Sequence, residues 1–306
     1  MELYKKYRPQ TLEDIQGNKA TVTSLLAALN KHDPPQAFLF YGPTACGKTT
    51  LARIVAREVG AVGSDYKEVD SADFRGIDSI REIRKQSHYQ ALEGKRKVFL
   101  LDECHKLSND AMNALLKALE DTPKNVVYIL CTTDPQKLIK PILGRCSQFQ
   151  VAPLNSQDML TLLRRVTHAE GETVSREVYQ QITESSEGLP RNALQILEQI
   201  LGVAEEDRLG MAQRVAEVRA ESIELARALV SRVGWKKVAE ILTRLKASEE
   251  DPEGIRRLVC GYCQSILLKG KEDSMLGTIL EEFIDPFYNT PWPQLTLACF
   301  SVVCGG

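Results

Sequence analysis

The chain has 306 residues, 43% of them hydrophobic and 26% charged, and a net charge of -2. That length accommodates roughly two or three domains with cores of their own, and the composition excludes a disordered or fibrous chain. The near-neutral balance excludes a globally basic nucleic-acid binder, so such contacts must come from a local patch or from several subunits acting together.

From the amino terminus, Met1-Glu2-Leu3-Tyr4-Lys5-Lys6 has no apolar run after its lysines, which argues against a signal peptide. Val22, Leu25, Leu26 and Leu29 recur at helical spacing. The runs 37–41, 98–101 and 126–130 are continuously apolar, as expected of strands buried on both faces of a parallel sheet. Lys67-Glu68-Val69 and Gln148-Phe149-Gln150-Val151 read as edge strands. Helical stripes at Leu51, Ile54 and Val55 and at Met112, Leu115, Leu116 and Leu119 alternate with the strands, which predicts an α/β layered domain closing near Pro153. Beyond Leu154 the strand signals vanish. Stripes through Leu160–Val166, Val174–Ile182 and Ala193–Ile200 predict a small helical unit ending near 205–207. A third helical block follows, with stripes through 223–229, 238–245, 255–259 and 275–280, punctuated at Asp251-Pro252 and Thr290-Pro291-Trp292-Pro293. No apolar run is long enough to span a bilayer.

Gly42-Pro43-Thr44-Ala45-Cys46-Gly47-Lys48-Thr49 fulfils G-x-x-x-x-G-K-[ST] between a predicted strand and a predicted helix. Its glycines let the backbone curl around phosphate, and loop amides with the helix amino terminus supply donors to an anion. Lys48 would add charge near the outer phosphates, and the Thr49 hydroxyl would ligate Mg²⁺. One β-α-β step later, a buried run ends in Asp102-Glu103. In such a place the first carboxylate holds Mg²⁺ and the second orients or deprotonates the attacking water. An isolated Asp-Glu pair is commonly just a solvated strand end; its position after the phosphate loop is what gives it weight. Asp102-Glu103-Cys104-His105 also has the form of a helicase box, which nothing else in the chain supports.

The eight cysteines suit neither paired disulfides nor a zinc site. Cys260 and Cys263 sit in a helical apolar pattern, and Cys299 and Cys304 are spaced by five, so burial as small hydrophobes is the expectation and zinc is not.

Over residues 4–200 these motifs resemble the AAA+ ATPase subunits of DNA polymerase clamp loaders, of the bacterial DNA polymerase III gamma/tau type. Tyr7-Arg8-Pro9-Gln10-Thr11-Leu12 with Ile15-Gln16-Gly17 resembles the segment that lies against adenine. The resemblance therefore implies a nucleotide site drawn from Tyr7, Arg8, Pro9, Ile15, Gln16, the loop Gly42–Thr49, Thr50 and Arg191. Asn113–Glu120 is similar to the helix after the acidic pair, and Thr132–Leu138 to the sensor 1 region with Thr133 as the sensor. Gly144-Arg145-Cys146 stands where the family has Ser-Arg-Cys, whose arginine reaches the ATP of a neighbouring subunit. Gly188–Leu194 is similar to the start of the sensor 2 helix, with Arg191 as the sensor; an arginine there opposes the helix dipole unless an anion is near.

Two departures stand out. Gly144 replaces the family's serine, and Arg57–Asp70 contains no cysteine where a zinc insertion is expected. That shortening, with an end at Gly306, suggests a compact subunit, phage-encoded or otherwise divergent.

The resemblance implies an AAA+ domain over 1–153, a helical lid over 154–208 and an all-helical collar for oligomerisation over 209–306. It further implies ATP with Mg²⁺, a hetero- or homo-oligomer, pentameric by analogy, a sliding clamp and primer-template DNA as partners, and the cytoplasm of a bacterium or infected host. Candidate DNA contacts are Arg75, Arg81, Arg84, Lys85 and Lys117, which equally suit an exposed charged helix. Two rival readings are a scaffold subunit that does not hydrolyse ATP and another AAA+ enzyme of DNA maintenance, for branch migration or fork repair.

Overall fold

The computed structural model describes residues 2–71, 76–247, 251–267, 273–287 and 290–305, with the backbone alone for 215–220. The chain separates into two compact units, Met1–Val203 and Ala204–Gly306.

In the first unit, β1 (Ala37–Tyr41), β2 (Tyr66–Asp70), β3 (Lys97–Asp102), β4 (Val126–Thr132) and β5 (Ser147–Gln150) form a parallel sheet ordered β2-β3-β4-β1-β5. The continuous apolar runs have a direct cause. Successive side chains of a strand point to opposite faces, so a strand covered on both sides needs apolar residues at every position. All seven residues of β4 are buried. Tyr128 and Leu130 face a cluster with Leu39, Phe99 and Leu101, whereas Val127 and Ile129 face Phe38, Phe40, Val98 and Leu100.

After the short α1 (Leu3–Lys6), helices beginning with α2 (Lys19–Leu29) cover both faces. One layer holds α2 and α3 (Lys48–Glu58), whose Leu25, Leu51, Ile54 and Val55 are buried. The opposite layer holds α4 (Ile77–Ser87), α5 (Asn109–Glu120) and α6 (Lys140–Arg145), through Ile80, Ile83, Met112, Leu115 and Ile142. Truncating one such leucine or isoleucine to alanine costs about 2–5 kcal/mol, which makes this two-sided packing the main support of the sheet.

Three amphipathic helices follow: α7 (Ser156–Ala169), α8 (Arg176–Ser185) and α9 (Pro190–Leu201). Asn155 and Ser175 cap α7 and α8 by accepting the backbone N–H of Asp158 and Val178. The short α1 packs on α9, and Lys6 and Tyr7 at its end both reach Glu170.

The second unit is helical: α10 (Arg208–Val230), α11 (Trp235–Ala247), α12 (Pro252–Leu267), α13 (Ser274–Phe283) and α14 (Pro291–Cys304) share one core. Pro252 and Pro291 open helices, as the fixed φ of proline permits at a first position. Within this core Glu253 is almost fully buried and accepts from Arg256, Arg257 and the Phe287 N–H, while Arg256 also donates to the carbonyls of Phe283 and Ile284. The Arg256 guanidinium, ahead of the opposing burial, holds the Glu253 carboxyl down at about 2. Cys260 donates to the Phe283 carbonyl, Cys263 and Cys299 are buried, and Cys304 is exposed. Among the described residues no group of three or more His, Cys, Asp or Glu could hold a metal, and no helix is long and apolar enough to cross a membrane.

Candidate nucleotide site

In open parallel sheets, ligands gather outside the carboxyl ends of the strands. Here the ends of β1, β3 and β4 lie side by side and carry the motifs. β1 runs into Gly42, whose φ is 151° and whose missing side chain would meet the Val151 carbonyl oxygen at 2.0 Å. The loop then turns through left-handed Ala45 (φ 63°) and Gly47 (φ 110°) into α3.

Lys48, 5% exposed, folds back over this loop and donates to the carbonyls of Gly42 (3.0 Å) and Pro43 (2.8 Å). A buried ammonium needs such partners, because desolvated charge is costly unless paired or hydrogen-bonded. Cys46 is buried and donates its thiol proton to the Pro43 carbonyl. Burial pushes that thiol up from its ordinary range, so the loop gains no negative charge there.

Thr49 donates to Asp102 Oδ2 at 2.7 Å, and the backbone N–H of Glu103 donates to Asp102 Oδ1 at 2.9 Å. Glu103 holds a left-handed conformation (φ 47°), uncommon for a residue with a side chain. Its Oε2 accepts from the Thr133 hydroxyl at 3.3 Å and lies 3.3 Å from His105 Nδ1. β4 ends one residue before Thr133. The buried strand-end threonine is Thr132, whose hydroxyl accepts from Asp134 N–H, whereas the half-buried Thr133 reaches the acidic pair.

A cavity of about 280 Å³ opens beside this cluster. Tyr7, Arg8, Pro9, Ile15 and Gln16 line one side and Thr44–Thr50 another, with Asp102 and Glu103 at the edge. Gly42 and Pro43 lie outside the lining, their carbonyls being turned to Lys48. Arg191, in the first turn of α9, also lines the cavity and stacks over Tyr4 at 5.5 Å. Burial, then the nearby Arg53 and Arg191, pulls Arg8 below the ordinary arginine range. Cations crowded in this way favour an anionic occupant. Leu194 of the sensor-2-like stretch lines the cavity too, as do Tyr4, Asn18, Asp70, Leu162 and Arg165, which carried no signal in the sequence. Periodicity shows which face of a helix is apolar, not what that face meets.

The remaining candidates lie elsewhere. Arg145, the last residue of α6, does not line the cavity; it pairs with Glu120 and donates to the Pro141 carbonyl. Arg81 pairs with Asp78 and Arg84 with Asp121, while Lys85 and Lys117 are exposed and Arg75 lies outside the described residues.

The donor set fits a phosphate ligand and a hard divalent cation. Thr49 and Asp102 present two oxygen donors, which suits Mg²⁺ completed by phosphate and water rather than a closed protein cage. Solved structures share the fold. The branch-migration motor RuvB of Thermotoga maritima aligns with a TM-score of 0.61 over 78% of this chain and 85% of that one, at 19% identity. Fold and loop together define a P-loop nucleotide-binding fold.

Sequence comparison adds the type. A family model described as DNA polymerase III, delta subunit, matches residues 61–155. DNA polymerase III subunit gamma/tau of Mycobacterium tuberculosis is 33% identical over 227 residues, 67% of this chain and 39% of that protein. Subunit tau of Bacillus subtilis is 29% identical over 310 residues, 92% of this chain and 54% of its own length. Subunit tau of Escherichia coli is 32% identical over 220 residues, 65% and 34% respectively. The chain is thus similar to AAA+ subunits of the clamp-loader type and spans between a third and a little over half of these relatives.

Proposed function

We propose that the chain is an ATPase subunit of a sliding-clamp loader, in which ATP binding organises the subunits around an opened clamp and primer-template DNA triggers hydrolysis. The observation that carries this reading is the convergence of Lys48, the Thr49–Asp102 pair and the Glu103–Thr133 pair at the ends of three adjacent strands.

In this reading the loop amides and the amino terminus of α3 bind the phosphates, and Lys48 turns from its carbonyl partners to the outer ones. Thr49 and Asp102 hold Mg²⁺, which would supply charge neutralisation on the phosphate oxygens. Tyr7, Arg8, Pro9, Ile15 and Gln16 enclose the base, and Arg191 meets phosphate from the lid side. Glu103 orients a water. Its oxygen bonds to the terminal phosphorus as the bond to the bridging oxygen breaks; ADP leaves, and Glu103 takes the proton. Thr133 fixes Glu103. Arg145 leaves Glu120 to complete the site of a neighbouring subunit. The division into an AAA+ domain (1–153), lid (154–208) and oligomerising collar (209–306) belongs to the same proposal, as do the clamp, DNA and subunit partners.

The test is ATP turnover of the assembled complex with and without cognate clamp and primed DNA. A strong rise is expected. No response would favour a scaffold subunit or a different AAA+ role. Glu103→Gln should bind ATP yet lose about 10²–10⁴ in turnover, the range for a positioned acid–base group.

A further inference from the structure

His105 is the polar member of the Asp102–His105 run to which the proposed reaction gives no part. It stands two residues after Glu103, in the short 3-10 turn Cys104–Lys106, with 12% of its side chain exposed. Nδ1 lies 3.3 Å from Glu103 Oε2 and 3.0 Å from the hydroxyl oxygen of the fully buried Thr132. That hydroxyl also accepts the Asp134 N–H at 3.0 Å.

The proton inventory decides how these atoms are joined. An ionised carboxylate only accepts, so a ring nitrogen beside it must carry the hydrogen. Burial lowers the His105 pKa, and Glu103 only partly opposes this, so the neutral ring carries a single N–H. Placed on Nδ1, that hydrogen bonds to Thr132 Oγ1 and lies beside Glu103 Oε2. The Thr133 hydroxyl donates to the same Oε2. The hydroxyl and the ring N–H therefore both stand at one carboxylate oxygen and leave Oε1 to meet the water.

We propose that His105 is a positioning residue that clasps Glu103 Oε2 and ties it to the end of β4, so that the strand carrying Thr132 and Thr133 sets the aim of the carboxylate. This rests on the reading of Glu103 as the water-orienting group. His105 does not line the cavity; it acts through Glu103. A misplacement of about 1 Å of a reacting group can cost about a hundredfold in rate, so a clasp of this kind has leverage on turnover without contributing to nucleotide affinity.

The experiment compares His105→Ala, His105→Asn and Glu103→Gln in the full chain. ATP turnover is measured in the complex stimulated by clamp and primed DNA; nucleotide affinity and thermal unfolding are measured on the same preparations. An asparagine amide nitrogen can stand near the place of Nδ1 and donate to Oε2. The expected result is a kcat about tenfold to a hundredfold lower for His105→Ala, with KM and nucleotide affinity within about twofold of the parent. His105→Asn should recover most of that loss. The proposal is overturned if His105→Ala keeps the parental kcat, if its defect lies in KM, or if a folded His105→Asn is as slow as the alanine variant. Should Glu103→Gln turn over normally, the reading of Glu103 fails and takes the clasp with it. If Glu103→Gln is slow while His105→Ala is normal, the clasp alone is wrong.

Discussion

Glu253 offers the best-defined perturbation of the helical unit. Its carboxyl sits at about 2 against an ordinary 4.5, held there chiefly by Arg256. A depressed carboxylate contributes stability that is present in full above the unfolded value and is lost as pH falls through the folded one. A difference of 2.5 units, 4.5 less 2, corresponds to about 3 kcal/mol at neutral pH. Glu253→Gln keeps the shape and removes the carboxylate charge that faces the Arg256 side chain, 11% exposed. The two tryptophans of the chain, Trp235 and Trp292, both lie in this unit, so their fluorescence reports its unfolding in the intact protein. Denaturant titrations of parent and variant should differ by about 3 kcal/mol at pH 7, and the gap should close between pH 4.5 and about 2. A variant as stable as the parent at pH 7, or a gap unchanged near pH 2, would refute the reasoning.

Lys48→Ala should abolish nucleotide binding in an equilibrium titration while leaving the fold intact; tight ATP binding by the variant would remove Lys48 from its role. For Arg145→Ala, nucleotide affinity should persist and assembly-dependent hydrolysis should fall by about a thousandfold or more. The Arg145–Glu120 pair is half-exposed and worth about 0.2–1 kcal/mol, so a neighbour's phosphate competes with it easily; unchanged hydrolysis would contradict the trans role. Gly42→Ala would place a methyl group 2.0 Å from the Val151 carbonyl oxygen. It should cost about 1–3 kcal/mol in thermal unfolding and weaken nucleotide binding, and a neutral outcome would mean the loop can move aside.

Much of the first unit is legible in the sequence because burial on both faces leaves strands such as Val126–Leu130 with no polar position. The phosphate loop is legible because its glycines answer a backbone requirement. Other parts carry no such mark. α1 has four residues, too few for a period, and Tyr4 within it reaches the cavity only through the packing of α1 on α9. The run Thr290–Pro293, which reads as punctuation, opens α14, because proline at a first helical position breaks no hydrogen bond. Arg145 and Glu120 are far apart along the chain, and only the packing of α5 on α6 joins them. The sensor threonine aligns by position, yet which of Thr132 and Thr133 is buried depends on where β4 stops.

That stopping point matters because β4 has little internal register of its own. A one-residue slip normally moves apolar side chains into water, but a strand apolar on both faces incurs no such penalty. Its register must be set at its ends, and polar groups do so there. At one end Tyr128 N–H donates to the Gln36 carbonyl, and the Gln36 amide donates back to the Val126 carbonyl at 3.1 Å. At the other, Gly42 N–H donates to the Thr132 carbonyl at 3.3 Å, pairing the start of the phosphate loop with the residue before Thr133. Val151 N–H donates to the Tyr41 carbonyl from the other side. The hydrogen bonds that index β4 against β1 are thus the ones that place Lys48 and Thr133 relative to one another. A slip in β4 would carry Thr133 off Glu103 before it exposed a single apolar side chain, which ties the aim of the site to strand register rather than to the stability of the core.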